Sequence, residues 1–298
     1  MPTASLPNQR LRASLLSQLR AELQSQGLLE VNTPQLWPSA IPESEIDLFT
    51  LPEGHLMASP EAHMKRLLAA GFGPIYQICP AFRRGELGQR HNPQFTILEF
   101  YLPGVDDQGL MRFLDQVSQK LFDLPPCQVQ PYLSAFAQAT GLDYHHFTPA
   151  QALQLCQAQG LPTPAGEMDR RAWTDFLFSF LVQPRLGLGA PLFLTRFPAD
   201  QASLARLDST DARLSRRFEW FYQGLELGNG FWELADVAEQ TRRLAAQPGK
   251  VRLDQGFLAA LEAGLPEASG VAIGIERLLM ALHGGDFKDW FSFPWPQE

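Results

Sequence analysis

The chain has 298 residues, of which 32 are acidic and 24 basic, giving a formal net charge of −8. That balance excludes a general attraction to a phosphate backbone and leaves only a local basic patch to hold an anion. Cys79, Cys127 and Cys156 are an odd set without metal-ligand spacing, which predicts reduced thiols.

The first residues, MPTASLPNQRLRASLL, contain no long apolar run, so no signal peptide is expected. No uncharged apolar stretch is long enough to span a bilayer, which predicts a soluble, cytoplasmic protein without a membrane partner. Leu11 to Gln26 reads as an amphipathic helix. Leu11, Leu15, Leu16, Leu19 and Leu23 recur at helical spacing, and Gly27 is a stop. LLEVNTP is a short strand broken by Pro34, and residues 35–55 read as irregular. In LMASPEAHMKRLLAAGFG a strand end enters a helix. Ser59 suits the N-cap, Pro60 the first helical position and Glu61 the positive first turn.

PIYQICPAF and QFTILEFYL are β-rich runs on either side of a loop bearing Arg83, Arg84, Arg90 and His91, which predicts a long antiparallel hairpin. Residues 106–122 read as a helix, and residues 125–190 as helices joined by Pro/Gly turns. LFLTRFP and FEWFYQGLELGNGFWELAD return to strand patterning, and SGVAIGIERLLMALHG is a glycine-punctuated strand running into a helix. There is no internal repeat or low-complexity tract. Strands towards both ends with helices between them predict one α+β domain over residues 1–298.

Side chains alternate along a strand, so Phe95, Ile97, Glu99 and Tyr101 share one face. Asn229, Phe231 and Glu233 share a face of the later strand. Glu226 joins them only if a bulge at Gly228 or Gly230 turns it. Singly, each acid would read as a solvated surface charge. Spaced at period two beside aromatic residues, they read as a pocket for a cation. The arginine loop needs the opposite guest, because a forked guanidinium suits phosphate. Arg277, near the start of a helix preceded by Gly270 and Gly274, belongs with that end. The combination points to a nucleoside triphosphate beside an amine-bearing substrate.

FRRGELGQRHNPQFTILEFY resembles motif 2 of class II aminoacyl-tRNA synthetases, GVAIGIERLLMAL resembles motif 3, and the first helix with GLLEVNTPQL resembles motif 1. SPEAHMKRLL, RHN, EFY and NGFWEL resemble the lysyl branch in the same order. Motif 1 begins within about the first thirty residues, so the anticodon-binding barrel that precedes it in lysyl-tRNA synthetases is not expected here. Over nearly its whole length the chain is similar to the elongation factor P lysine ligases, which lack that barrel. Ala272 supports this, since lysyl synthetases usually have glycine there and the ligases alanine.

The resemblance implies a six-stranded antiparallel sheet flanked by helices, in a homodimer. It implies activation of (R)-β-lysine with ATP and Mg²⁺, then transfer of the aminoacyl group to a lysine of elongation factor P, with tRNA an unlikely partner. By matching position, Arg83 would bind the α-phosphate, Asn92 would contact ATP and His91 the outer phosphates. Phe95 and Arg277 would sandwich adenine, Arg277 serving catalysis with Arg83. Glu226 would hold Mg²⁺, and Glu226, Leu227 and Gly274 would line the ATP site. Ser59, Pro60 and Glu61 would cradle the amino acid, over a floor at Ala272. Tyr101 and Glu233 would hold an amine, with Glu99 and Asn229 in the same pocket.

Lysyl synthetases carry glutamate at the position of Gly85, whereas here it falls at Glu86. Glu86 is expected to reach the adenine amino group, or else the backbone at Arg84 or Gly85 takes that contact. The segment at 41–55 is shorter than the resemblance leads one to expect. Two alternatives stay open: a truncated synthetase that charges tRNA with α-lysine, and a non-catalytic paralogue that senses an amino acid.

Overall fold

The computed structural model describes residues 2–41, 46–162, 166–246 and 254–296. Helix α1 (Leu6–Ser25) starts earlier than the leucine pattern suggested, because Ser5 caps it by accepting the Asn8 N–H at 3.3 Å. Leu15, Leu19 and Leu23 are buried. Leu11 is 42% exposed, so burial on this helix begins one turn later than its spacing implied.

The strands are β1 (Leu29–Glu30), β2 (Leu36–Trp37), β3 (Thr50–Leu51), β4 (Gly54–Leu56), β5 (Ile75–Phe82), β6 (Gln94–Pro103), β7 (Gln128–Pro131), β8 (Leu192–Thr195), β9 (Arg217–Tyr222), β10 (Leu225–Trp232) and β11 (Ala268–Gly274). The further helices are α2 (Glu61–Ala69), α3 (Asp107–Phe122), α4 (Tyr132–Thr140), α5 (Pro149–Ala158), α6 (Arg170–Leu177), α7 (Val237–Ala245), α8 (Gln255–Gly264) and α9 (Ile275–His283).

The main sheet runs β1-β5-β6-β11-β10-β9-β8-β7. Its six inner strands are antiparallel, as expected, but parallel edge strands β1 and β7 raise the count to eight. Parallel neighbours need a crossover connection. For β7 and β8 the helical segment α4–α6 supplies it, in a region where the sequence pattern indicated only helices. The strand QVQP is four residues long and has no apolar period to reveal it. Likewise, β2, β4 and β3 pair into a small second sheet within the stretch that read as irregular. Residues 42–45 of that stretch lie outside the described residues.

The β5–β6 hairpin forms as its alternation predicts, from Ile75 opposite Tyr101 to Phe82 opposite Gln94. Leu98, Phe100 and Leu102 point into the main core with Leu19, Leu114 and Leu278 of α1, α3 and α9. Ile97, Glu99 and Tyr101 therefore face the other way, onto a cleft. A second core within the helical segment joins Tyr132, Phe136, Trp173 and Leu177 to Phe221 of the sheet. In β10, Glu226 pairs with Phe221 and Gly228 with Trp220, so Leu227 is the extra residue of a bulge at the expected glycine. Among the described residues no helix is long and apolar enough to cross a membrane. The three cysteines are free.

Candidate active site

A cavity of about 560 Å³ opens on the sheet face formed by β6, β11 and β10, with the hairpin loop at one end and α2 at the other. At the loop end, the Arg83 N–H donates to the Pro93 carbonyl at 2.8 Å, fixing the start of the loop against its return. The guanidinium carbon of Arg83 lies 5.0 Å from the centre of the Phe95 ring, and Nη1 is 3.6 Å from Glu86. Arg277, in the first turn of α9, places Nη2 at 2.7 Å from His91 Nε2 and Nη1 at 3.5 Å from the Glu226 carboxylate. Burial first, then the Arg277 charge, lowers the His91 pKa, which favours a neutral imidazole accepting from Arg277. Gly274 caps α9 at the cleft wall, and Gly85 turns the loop at φ +82°.

Midway along the cavity, Glu226 and Glu219 come from neighbouring strands. Glu219 is bonded by Arg217 at 2.5 Å, yet burial pushes its pKa up to about 7, helped by the nearby Glu226 charge. Arg217 also donates to Asn229 Oδ1 at 3.2 Å.

The far end is acidic. Glu99, 2% exposed, accepts from the Ser59 hydroxyl and from the Tyr101 hydroxyl, each at 2.6 Å. Burial pushes its pKa up to about 8, and the charge of Glu61 adds to that. Glu61 and Glu233 share the ammonium of Lys65, at 2.5 and 2.6 Å. Gly270 lies beneath them, where a Cβ would fall 2.3 Å from the Tyr101 ring and 2.9 Å from a Glu233 oxygen. Ala272 pairs with Glu99 on one side and Asn229 on the other, and packs against Cys79, Ala81 and Ile97.

The family described as tRNA synthetases class II (D, K and N) matches residues 4–295. The chain belongs to this family. A Haemophilus influenzae protein named elongation factor P–(R)-β-lysine ligase is 40% identical, covering 98% of this chain and 96% of its own length. Proteins of the same name from Pasteurella multocida and Pectobacterium carotovorum are 40% and 39% identical over 96% and 98% of this chain. This class II synthetase relative is accordingly a ligase.

In this class II chain the cavity gathers nearly all the residues singled out from the sequence, but several are arranged differently. Arg83 covers the Phe95 ring, the aromatic face that the resemblance gives to adenine. The Asn92 side chain is tied at both ends, donating to the Gln94 carbonyl at 2.6 Å and accepting the Trp295 N–H at 2.7 Å. Leu227 turns its side chain into the main core, so only its backbone can border the cleft. The N-cap of α2 is Pro60, one residue later than expected, while Ser59 receives the Glu61 N–H at 3.1 Å and turns its own proton to Glu99. Arg84 contributes a backbone N–H to the Asp47 carbonyl at 2.7 Å.

Lys65, Glu219 and Arg217 went unnoticed in the sequence. Glu61 and Lys65 stand at i,i+4 on α2, a spacing that could have exposed the pair. Period two from Glu219 to Phe221 could have placed Glu219 on the cleft side.

Proposed function

We propose that the protein activates a lysine isomer with ATP and ligates it to a lysine of elongation factor P. One observation carries this reading. A single cavity has guanidinium groups beside an aromatic ring at one end and three carboxylates, two of them buried, at the other. The first end fits a triphosphate and a base, the second the ammonium groups of a diamino acid. The names of the relatives supply the protein acceptor.

In the first step an oxygen of the substrate carboxylate attacks the α-phosphorus. A phosphorus–oxygen bond forms, and pyrophosphate leaves with the electron pair of the bond that breaks. Arg83 neutralises charge accumulating on that phosphorus, with Arg277 and His91 near the outer phosphates. Freeing the Phe95 face for adenine requires the Arg83 guanidinium to swing from ring to phosphate. Glu86, released by that swing, is then available to the base. In the second step the acceptor amine attacks the acyl carbon and AMP departs. No side chain forms a covalent intermediate, so the rate rests on positioning and charge neutralisation.

Glu226 and Glu219 would hold Mg²⁺, with the remaining ligands coming from phosphate and water. Burial first, and then the Glu226 charge, keeps Glu219 from ionising, and a divalent cation would offset that repulsion. The ion supplies charge neutralisation at the triphosphate. Ser59 and Tyr101 hold Glu99, which with Glu233 and Asn229 faces the amines. Ala272 favours (R)-β-lysine over α-lysine by shaping the floor under the substrate backbone. Residues 1–298 act as one catalytic domain in a cytoplasmic homodimer.

The test is ATP–pyrophosphate exchange with (R)-β-lysine, α-lysine and ornithine, followed by transfer of labelled lysine to elongation factor P or to tRNA. Exchange with β-lysine and labelling of the protein are expected. Labelled tRNA alone, or no exchange with any isomer, would overturn the reading.

A further inference from the structure

The acidic end of the cleft contains a cation of its own. The side chain of Lys65 is completely buried on α2, with Glu61 one turn before it and Glu233 beyond the end of β10 on its other side. A buried ammonium is tolerated only when paired. Burial alone would lower the Lys65 pKa, but Glu233 and Glu61 raise it overall, so the group stays charged.

The charges can be counted. Glu61, Glu99 and Glu233 provide three negative charges and Lys65 one positive, which leaves two unmatched. Arg206 bonds the Glu233 backbone carbonyl and pairs with Glu267 at the surface, and its charge favours ionised Glu233 less than that of Lys65 does. Arg217 and Arg243, which also line the cavity, are held by Glu219 and Glu239. Two unmatched charges in one pocket favour taking up a proton, in agreement with the reluctance of the buried Glu99 to ionise.

We propose that Lys65 is a built-in counter-ion that sets the substrate class. By neutralising one carboxylate and spacing Glu61 from Glu233, it leaves two negative charges to be matched by two ammonium groups on one substrate. A monoamino acid leaves one carboxylate buried and unmatched, so the pocket rejects it whether the amine retained is the backbone one or the terminal one. Lys65 is thus a positioning residue, acting on the substrate through Glu61 and Glu233. The inference rests on the reading of this end of the cleft as the amino-acid site.

Pyrophosphate exchange tests both levels separately. Wild-type exchange with a lysine isomer checks the amino-acid site itself. The selectivity claim requires 6-aminohexanoate and norleucine each to bind the wild type at least a hundredfold more weakly than the diamino acid. Binding of either within tenfold would overturn it. Lys65→Ala removes the ammonium and three carbons. Exchange is expected to fall at least a hundredfold, with ATP affinity unchanged. Propylammonium at tens of millimolar should restore it at least tenfold, and propanol of the same shape should not. Equal rescue by propanol, or no rescue of a folded variant, would overturn the proposal. Should Lys65→Ala not fold, Lys65→Met and Lys65→Arg decide. Arg should keep the diamine KM within tenfold and Met should raise it at least fiftyfold. A Met variant with the wild-type KM, or failure of Arg and Met to differ, sinks the proposal.

Discussion

The Thr96 N–H donates to the carboxylate of Glu276 across 2.9 Å, tying the return strand of the arginine hairpin to the first turn of α9. Glu276 is 1% exposed, and its other oxygen receives Arg12 of α1 at 3.3 Å. Arg12 in turn donates to the Thr96 hydroxyl at 2.6 Å. Three segments far apart in sequence are held by one buried acid, and the next residue is Arg277. Glu276→Ala should therefore lower the unfolding free energy by about 2–4 kcal/mol, since it removes a charge-assisted bond and strands a partly buried guanidinium. Urea denaturation measures this, and a loss under about 0.5 kcal/mol would show the knot to be incidental. ATP should also bind more weakly than it does to wild type, because Arg277 loses its anchor.

Arg83→Ala should abolish adenylate formation and leave the fold intact. The hairpin register depends on the Arg83 backbone N–H, which alanine keeps. Losing one preorganised charge contact to a reacting phosphate costs roughly 3 kcal/mol, a hundredfold in rate. Pyrophosphate exchange within threefold of wild type would remove Arg83 from the chemistry.

Lysine binding should release protons near neutral pH. Burial raises Glu99 to about 8 and Glu233 to about 7, so the free native pocket holds protons that the unfolded chain gives up from about pH 4.5. For these acids the native state binds the more protons. Their contribution to stability is greatest at low pH and declines as pH rises from about 4.5 to 8. His63 and His91, lowered chiefly by burial, act in the opposite sense below the ordinary imidazole value of about 6.5. A substrate with two ammonium groups favours the ionised acids and expels the proton. Calorimetry at pH 7 in buffers of different ionisation enthalpy should show about one proton released per lysine. Glu99→Gln should reduce that number towards zero, and a wild-type value of zero would mean that the empty pocket is already ionised.

The legible parts of this molecule were those with a local period. QFTILEFY gave both the hairpin and the cleft face of Glu99 and Tyr101, because alternation is written into eight consecutive residues. Gly228 and Gly230 offered the bulge that brings Glu226 round, since a missing Cβ makes one easy, and it forms before Gly228. The illegible parts depend on contacts across the chain. Nothing near Lys65 says that Glu233 will close over it, and nothing near Asn92 says that Trp295 will donate to its side chain. The four-residue β7 has no room to show a period. The stacking of Arg83 on Phe95 is a matter of side-chain choice within a loop, which spacing cannot settle.

The last prediction concerns Ala272. Its methyl stands on the cleft strand β11, between Glu99 on β6 and Asn229 on β10, and beside the apolar patch of Cys79 and Ile97. The residue two positions earlier is Gly270, where no side chain can be fitted beneath Tyr101 and Glu233. The floor of the pocket is thus glycine beneath Tyr101 and Glu233 and alanine under the middle of the cleft. A β-amino acid moves its amine one methylene from the carboxylate, a change a pocket distinguishes by only about 1–3 kcal/mol. One methyl in the floor is enough to set the sign of that difference, though not to create activity. Ala272→Gly should raise the α-lysine to β-lysine ratio of kcat/KM several-fold and leave ATP affinity nearly unchanged. Exchange kinetics with both isomers measure the ratio directly. If both isomers lose activity together and the ratio holds, Ala272 is a packing residue of β11, and the choice between the isomers is made elsewhere in the cleft.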